Sequence, residues 1–190
     1  DGGQSAPGDG KSAIDGADAI SLPVLDGWTG TSSLKGAGVS VGPYACPGNG
    51  GEVCTLGGVS SMPAADAKIT ATTPEAAARQ DITPNAASAY NSDTYGATTS
   101  HQELKAGAVT VAGQQGYMVR WKVVTASGTQ GYVESLVFTS PTTKKLVVVR
   151  FGFDVTDKAP KVGDMDTITQ GIKTDTSLGN GTSGGTGTGV

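Results

Sequence analysis

The two cysteines, Cys46 and Cys54, are the residues of this sequence whose spacing is most informative about chemistry. They enclose the short run Pro-Gly-Asn-Gly-Gly-Glu-Val, and the 190-residue chain contains no other cysteine. In an oxidising compartment such a pair closes a small loop and contributes about 2.5 kcal/mol to stability by the chain-entropy relation. The alternatives are two free thiols or half of a metal site, but tetrahedral zinc needs four ligands and His101 is the only histidine. The spacing predicts a structural disulfide.

Residues suited to catalysis or cation binding are few. A Ser-His-Asp arrangement would depend on His101. The spacing Gly-x-Ser-x-Gly occurs at 38–42 and again in the tail at 181–185, but no helix is predicted after either run, so neither indicates a strand-turn-helix nucleophile elbow. We expect a surface histidine at the start of a strand, and no catalytic residue. Carboxylates that could suit calcium are Asp154, Asp157, Asp164 and Asp166, but their spacing is not that of an EF-hand. Turn and helix-start positions account for all four, so no metal or cofactor is predicted, while a cation site at 154–166 stays open.

Aromatic residues and the cysteine loop offer two possible binding surfaces. The aromatic side chains could line a groove for a small apolar ligand, although in a chain with 5% aromatic residues a place in the core is the competing interpretation. The loop 47–53, if closed by a disulfide, could instead be presented to a protease as an inhibitor, because a rigid loop loses little entropy on binding. The candidate aromatic residues are Tyr90, Tyr95, Tyr117, Trp121 and Tyr132.

Composition divides the chain into three parts. Of its 30 glycines, five lie in residues 1–18 and six in residues 176–190, where few residues could pack into a core. We therefore predict a flexible N-terminal tether at 1–18, a single domain at 19–175 and a flexible Gly/Ser/Thr tail at 176–190. The net charge of −4, without a cluster of Lys and Arg, argues against a nucleic-acid partner and a polybasic membrane surface. No run approaches the roughly 20 apolar residues of a membrane helix.

The elements that must position these residues are a helix, a meander of strands and a second helix. Thr73 followed by Pro74 and Glu75 is a helix start. Between residues 99 and 154, strand-like runs of apolar positions separated by short turns predict antiparallel strands, and the wholly apolar run 146–149 predicts burial on both faces at the sheet centre. Near the end of the domain, Met165, Ile168 and Ile172 stand at helical spacing and predict an amphipathic helix that covers the sheet.

These elements, preceded by the segment Leu22-Pro23-Val24-Leu25-Asp26-Gly27-Trp28, occur in an order that resembles a known family. The chain resembles the PsbP-type α/β/α sandwich over residues 20–174, and in particular secreted actinobacterial lipoproteins of the LpqN kind. The resemblance implies an α+β fold, with a twisted antiparallel central sheet and helices packed on its faces. It also implies an exported location and a noncatalytic adaptor or binding role, with no catalytic residue to carry over.

Together these observations give an expectation of function. We expect a secreted or lipid-anchored protein of the cell envelope or cell surface, without enzymatic activity or cofactor, that binds an envelope or extracellular protein. A membrane would be contacted only through a lipidated cysteine upstream of Asp1. The alternatives are a carrier of a small apolar or lipid ligand and, ranked below it, a protease inhibitor that uses the 46–54 loop.

Overall fold

The computed structural model describes residues 12–46 and 51–179 of the chain. Within them the fold is α+β, as expected, and none of the helices is long and apolar enough to cross a membrane. The strands are β1 (Ser12–Asp15), β2 (Ile20–Pro23), β3 (Thr29–Thr31), β4 (Ala37–Ala45), β5 (Val53–Pro63), β6 (Thr98–Val111), β7 (Gln114–Thr125), β8 (Gln130–Thr139), β9 (Leu146–Asp154) and β10 (Lys173–Thr174), and the helices are α1 (Pro74–Ala89), α2 (Ser92–Tyr95) and α3 (Gly163–Gly171).

Seven of the strands form one antiparallel sheet in the order β3-β4-β5-β9-β8-β7-β6. The predicted meander is confirmed, because β6, β7, β8 and β9 are neighbours in chain order. The apolar run that was expected at the centre lies in β9, the middle strand, where Val147, Val148 and Val149 are fully buried. Burial on both faces explains why this strand lacks the polar alternation of a half-exposed strand.

One face of the sheet is covered by α3 and by a small sheet of order β1-β2-β10. The predicted closing helix is confirmed: Met165, Ile168 and Ile172 are buried against large side chains of the central sheet. A buried ion pair fastens the helix, because Arg120 donates to Glu134 at 2.8 Å and to Asp166 of α3 at 2.8 Å.

The other face carries α1. The predicted helix start is confirmed, since Thr73 caps the helix by accepting a hydrogen bond from the Ala76 amide at 3.3 Å and Pro74 occupies the first turn. The helix also continues through Pro84, although proline has no N–H group to donate and often interrupts a helix. Pro84 lies on the exposed side of the helix, so its ring faces solvent. The carbonyl four residues earlier, which receives no N–H from proline, lies on the same exposed side and remains accessible to water.

The N-terminal boundary of the domain differs from the prediction. Residues 12–18, expected to belong to the tether, form β1 and the turn after it, and Ala13 and Ile14 are buried. The reason is pairing: β1 is the antiparallel partner of β2, so a segment with little apolar character acquires a buried face. Residues 1–11 of the proposed tether lie outside the described residues. In the C-terminal tail, residues 176–179 are described and include a turn, and residues 180–190 are not described.

The turn between β1 and β2 holds two buried carboxyl groups. Asp15 accepts a hydrogen bond from the Asp18 amide at 3.0 Å and another from the Ser61 hydroxyl at 2.6 Å. Asp18 is also buried, and among the described residues no group donates to its Oδ2 atom. Burial, followed by the neighbouring Asp15, raises the pKa of Asp18 to about 8, so this carboxyl group is largely protonated at pH 7.

Candidate functional site

An open groove lies beside α1 on its face of the central sheet. The helix packs mainly on β7 and β8 and reaches β9 only at its edge, so none of the described helices lies over the half of this face formed by β3, β4 and β5. The groove has a volume of about 600 Å³ and extends from Thr31 in β3 to Tyr95 in α2. Its floor is the sheet, one wall is the second half of α1, and its far end is closed by the Cys46–Cys54 pair.

The floor consists of alternate residues of β4, β5 and β9 with very small side chains. The register pairs Gly38 with Ser60, Ser40 with Gly58, and Gly58 with Gly152. Because side chains alternate between the two faces of a strand, these five residues share the groove face, whereas Val39 and Val59, one position along, point into the opposite core. A molecule in the groove can therefore approach the sheet backbone closely.

The wall formed by α1 is fixed to the sheet by polar contacts. Asn85 donates to the Glu134 carbonyl at 2.9 Å and to the Ser135 hydroxyl at 3.0 Å. Asp81, which is fully buried in the same helix, accepts hydrogen bonds from the guanidinium of Arg150 in β9 and, at 2.7 Å, from the hydroxyl of Ser135. Arg150 also borders the groove, but its charge is neutralised by this buried carboxylate.

A cluster of tyrosines around one carboxylate forms the far end of the groove. Asp154, at the end of β9, accepts hydrogen bonds from the hydroxyls of Tyr90 at 2.7 Å and Tyr44 at 2.5 Å. The Tyr90 ring can occupy this place because residue 131 is glycine: a Cβ atom there would lie 2.1 Å from the ring. The two tyrosines come from α1 and β4, so only the tertiary fold brings them to Asp154.

The tyrosine hydroxyls of this cluster are held in their neutral, donating form. Burial, with additional effects of Asp154, raises the pKa of both Tyr90 and Tyr44 well above the usual range of tyrosine, and burial also raises the pKa of Tyr95. Tyr95 donates to the Cys54 sulfur at 2.9 Å, and its hydroxyl lies 3.3 Å from that of Tyr44. The cluster therefore supplies fixed hydrogen-bond donors, and Asp154 supplies the negative charge.

The cysteine pair has the chemistry that the spacing predicted. Cys46 and Cys54 form a disulfide, with Cα atoms 5.0 Å apart, between the paired ends of β4 and β5. Residues 47–50 of the enclosed loop lie outside the described residues. Glu52, at the base of this loop, borders the groove and accepts a hydrogen bond from the Thr94 hydroxyl at 3.4 Å.

The five candidate aromatic residues do not form one surface. Tyr90 and Tyr95 are buried at the end of the groove, with their tilted rings 5.0 Å apart between centroids, whereas Tyr117 and Trp121 of β7 lie outside its lining. Tyr132 packs against the opposite face of the sheet. The hypothesis of a single aromatic groove is wrong because β7, β8 and the C-terminal end of α1 place these side chains in three different surroundings.

The remaining candidate residues are also separated. His101 stacks on the Trp121 ring at 4.0 Å on the exposed edge strand β6. Asp154 and Asp166 belong to different faces of the sheet, the first bonded to tyrosines and the second to Arg120. Across residues 12–46 and 51–179, no three His, Cys, Asp or Glu side chains are placed to hold a metal ion together.

Two members of the tyrosine and carboxylate cluster at the end of the groove were not found from the sequence. Tyr44 was not among the candidate aromatic residues, and Asp154 was considered only as part of a cation cluster. A signal for the groove was present: alternate positions in β4 and β5 are glycine or serine where a covered sheet face would carry apolar side chains.

Comparison with known proteins gives a likeness of fold. No protein-family model and no curated protein matches the sequence. Among solved structures, the Saccharomyces cerevisiae Ran-binding protein Mog1p is similar with a TM-score of 0.51 and 11% identity, over 88% of this chain and 97% of that chain.

Two further solved structures are similar at lower scores. Cyanobacterial PsbP (CyanoP) from Synechocystis has a TM-score of 0.47 and 15% identity, over 90% of this chain and 98% of that chain. LpqN of Mycobacterium tuberculosis, described as involved in cell envelope biogenesis, has a TM-score of 0.40 and 14% identity, over 81% of this chain and 82% of that chain. The chain thus has an α+β fold similar to that of Mog1p, and CyanoP and LpqN, which represent the family that the sequence resembles, are among the similar structures.

Proposed function

We propose that the chain is a noncatalytic binding protein that holds an extended segment of a partner protein in the groove beside α1. The observation that carries this proposal is the uncovered half of the sheet, whose floor is glycine and serine where a covered face would be apolar. A fold of this kind is found in Mog1p, which is named a Ran-binding protein. The described lining of the groove contains no histidine, and its two cysteines are joined in the disulfide, so these residues lack the nucleophile and base arrangement that an enzyme of the serine or cysteine type requires.

An extended polypeptide suits the dimensions and chemistry of the groove. The four strands β3, β4, β5 and β9 span about 14 Å at a spacing of about 4.8 Å, which an extended segment of about four residues crosses. The floor lets a backbone approach closely, and the lining offers hydroxyl, amide and carboxylate groups that can pair with its N–H groups. Large apolar side chains, which would favour a lipid tail, are scarce on this floor.

We further propose that the protein acts outside the cytosol, secreted or lipid-anchored in the cell envelope. The Cys46–Cys54 disulfide supports this location, since disulfides persist in oxidising compartments. Rapid alkylation of cells followed by mass spectrometry should find both cysteines unmodified until a reductant is added, in the envelope or culture fraction. Both thiols alkylated before reduction, or the protein recovered from the cytosol alone, would contradict the location.

A pair of tryptophan variants tests the groove. Ser60→Trp places a large ring on the groove floor, while Thr110→Trp places the same ring at an exposed position of the edge strand β6. Wild-type protein and Thr110→Trp should both capture the same stoichiometric partner from a host envelope extract, and Ser60→Trp should lose it. Capture of the same partner by Ser60→Trp, or capture of no partner by the wild type, would rule out binding through the groove.

A small-molecule carrier is the second candidate, because the volume of about 600 Å³ is large enough for a small ligand. The same two variants distinguish it from the first. Native mass spectrometry of the wild-type protein from its host would show a bound mass of a few hundred daltons that is absent from Ser60→Trp, with no protein partner captured. The protease-inhibitor hypothesis remains an expectation from the sequence, as part of its loop lies outside the described residues.

A further inference from the structure

The end of the groove next to the disulfide carries negative charge that no positive side chain within residues 12–46 and 51–179 balances. We call it the acidic end and define it by Asp154, Glu52 and the tyrosines Tyr44 and Tyr95. Hydrogen bonds connect its members: Tyr44 bonds to Asp154 and lies against Tyr95, and Thr94, the residue before Tyr95, bonds to Glu52.

Asp154 differs from the other buried carboxylates in how its charge is compensated. Asp81 is paired with Arg150 and Glu134 with Arg120, each in a direct ion pair. Asp18 is kept neutral by a bound proton beside Asp15. Asp154 is 95% buried, yet in the described parts of the chain it has only tyrosine hydroxyls as donors and forms no ion pair with Lys, Arg or His.

The rest of the groove does not supply the missing positive charge. Arg150 is the basic residue of the described lining, and its guanidinium is held by Asp81. Glu52 adds a second carboxylate that is exposed at the rim. The groove therefore presents a net negative end in a recess walled by the disulfide and the tyrosine rings, where charges are less screened than on an open surface.

From this charge distribution, and resting on the proposed function, we propose that the acidic end recognises a basic side chain, lysine or arginine, of the segment bound in the groove. The cationic group would meet Glu52 at the rim and Asp154 at the base. The rings of Tyr90 and Tyr95, which line the groove beside Asp154, suit a cation as well, because aromatic faces attract positive charge. The remaining part of the bound segment would lie over the glycine and serine floor.

The test is a selection from a random library of linear heptapeptides displayed on phage. The library is selected on the wild-type protein after depletion on Ser60→Trp, which keeps every charge of the groove but blocks its floor. Peptides that survive should carry Lys or Arg at one fixed position. Replacing that residue by glutamine should weaken binding at least about tenfold to the wild type, with a smaller difference at high salt.

Two charge variants locate the recognition. Glu52→Gln changes an exposed side chain and leaves the core intact, and Asp154→Asn keeps the shape of the buried group. Selection on the double variant should still enrich peptides that depend on an open groove, but without the fixed basic residue. Each single variant should reduce the preference for the basic residue, and thermal unfolding of each verifies that it is folded.

The outcomes separate this inference from the proposed function. Peptides that need an open groove but show no preference for Lys or Arg would overturn recognition of a basic side chain and leave the groove as a binding site. A basic preference that survives in both charge variants would also overturn it. If depletion on Ser60→Trp removes every enriched peptide, binding through the groove fails, and the inference fails with it.

Discussion

The two faces of the central sheet differ in how completely they are covered. On the face of α3, large side chains such as Phe138, Phe151 and Phe153 are buried beneath the helix and the small sheet. On the face of α1, the core under the helix consists mainly of alanine and valine, and beyond it the sheet carries glycine and serine. The covered face supplies apolar burial and thus stability, whereas the partly open face gives up burial and gains a recess for another molecule.

The largest expected loss of stability comes from removing a large buried side chain from the covered face. Phe138→Ala removes a fully buried ring, and we expect the free energy of unfolding to fall by about 4 kcal/mol because apolar burial is lost and a cavity remains. Urea unfolding followed by circular dichroism measures the change. Ser60→Ala on the open face is the matched control and should change stability by less than about 0.5 kcal/mol. Equal losses for both variants would remove the distinction between the faces.

A smaller loss of stability is expected at the ion pair that joins α1 to the partly open face of the sheet. Arg150→Met leaves Asp81 fully buried without its guanidinium partner, and we expect a loss of about 3 kcal/mol in the free energy of unfolding. Adding Asp81→Asn should restore part of that stability, since the uncompensated charge is then removed. If Arg150→Met alone is neutral in urea unfolding, α1 is held by its alanine contacts and the ion pair is unimportant.

The disulfide at the end of the groove is expected to contribute about 2.5 kcal/mol through loop closure. The double variant Cys46→Ala with Cys54→Ala should lower the thermal unfolding temperature, and the wild type should shift to a similar value in a reductant. The double variant itself should not respond to reductant, which controls for other effects of the reagent. An unchanged melting temperature of the double variant would show that the open end is stable without the bond.

Buried carboxyl groups on the covered side should also make the stability of the protein depend on pH. The pKa of Asp18 is about 8 in the folded protein and near 3.8 in the unfolded chain, so the native state holds a proton that the unfolded state releases between these values. Stability is greatest below pH 4 for this group and falls as the pH rises to 8, by about 1.4 kcal/mol per pH unit in the middle of the range. Burial raises the pKa of Glu134 to about 7, although Arg120 has the opposing effect. Glu134 therefore adds to the same decrease of stability with pH.

The variant Asp18→Asn separates the contribution of this one carboxyl group. It should flatten the pH dependence between 4 and 8 without abolishing it, because Glu134 is unchanged, and it should unfold at a higher urea concentration than the wild type at pH 8. Parallel stability curves for the two proteins across this range would show that Asp18 releases its proton at the same pH in both states.

Local sequence patterns were sufficient to predict the meander of strands, the helix α3 and the disulfide bond. The strand-like apolar runs in residues 99–154 predicted the meander, and the spacing of Met165, Ile168 and Ile172 predicted α3. Two cysteines separated by eight positions, with no other cysteine in the chain, predicted the disulfide. Each depends on residues near one another in the chain. The strand β1 was missed because its burial comes from pairing with β2 and not from its own composition.

The groove required the tertiary structure. The sequence by itself determined the strands, the helices and which residues alternate on each strand, since backbone geometry fixes those periods. Only the tertiary structure decided that α1 lies over β7 and β8 and leaves β4 and β5 open, and that Tyr44 meets Asp154 across 110 positions of the chain. The physical reason is that contacts between strands depend on sheet order and register, which are set by how the whole core packs.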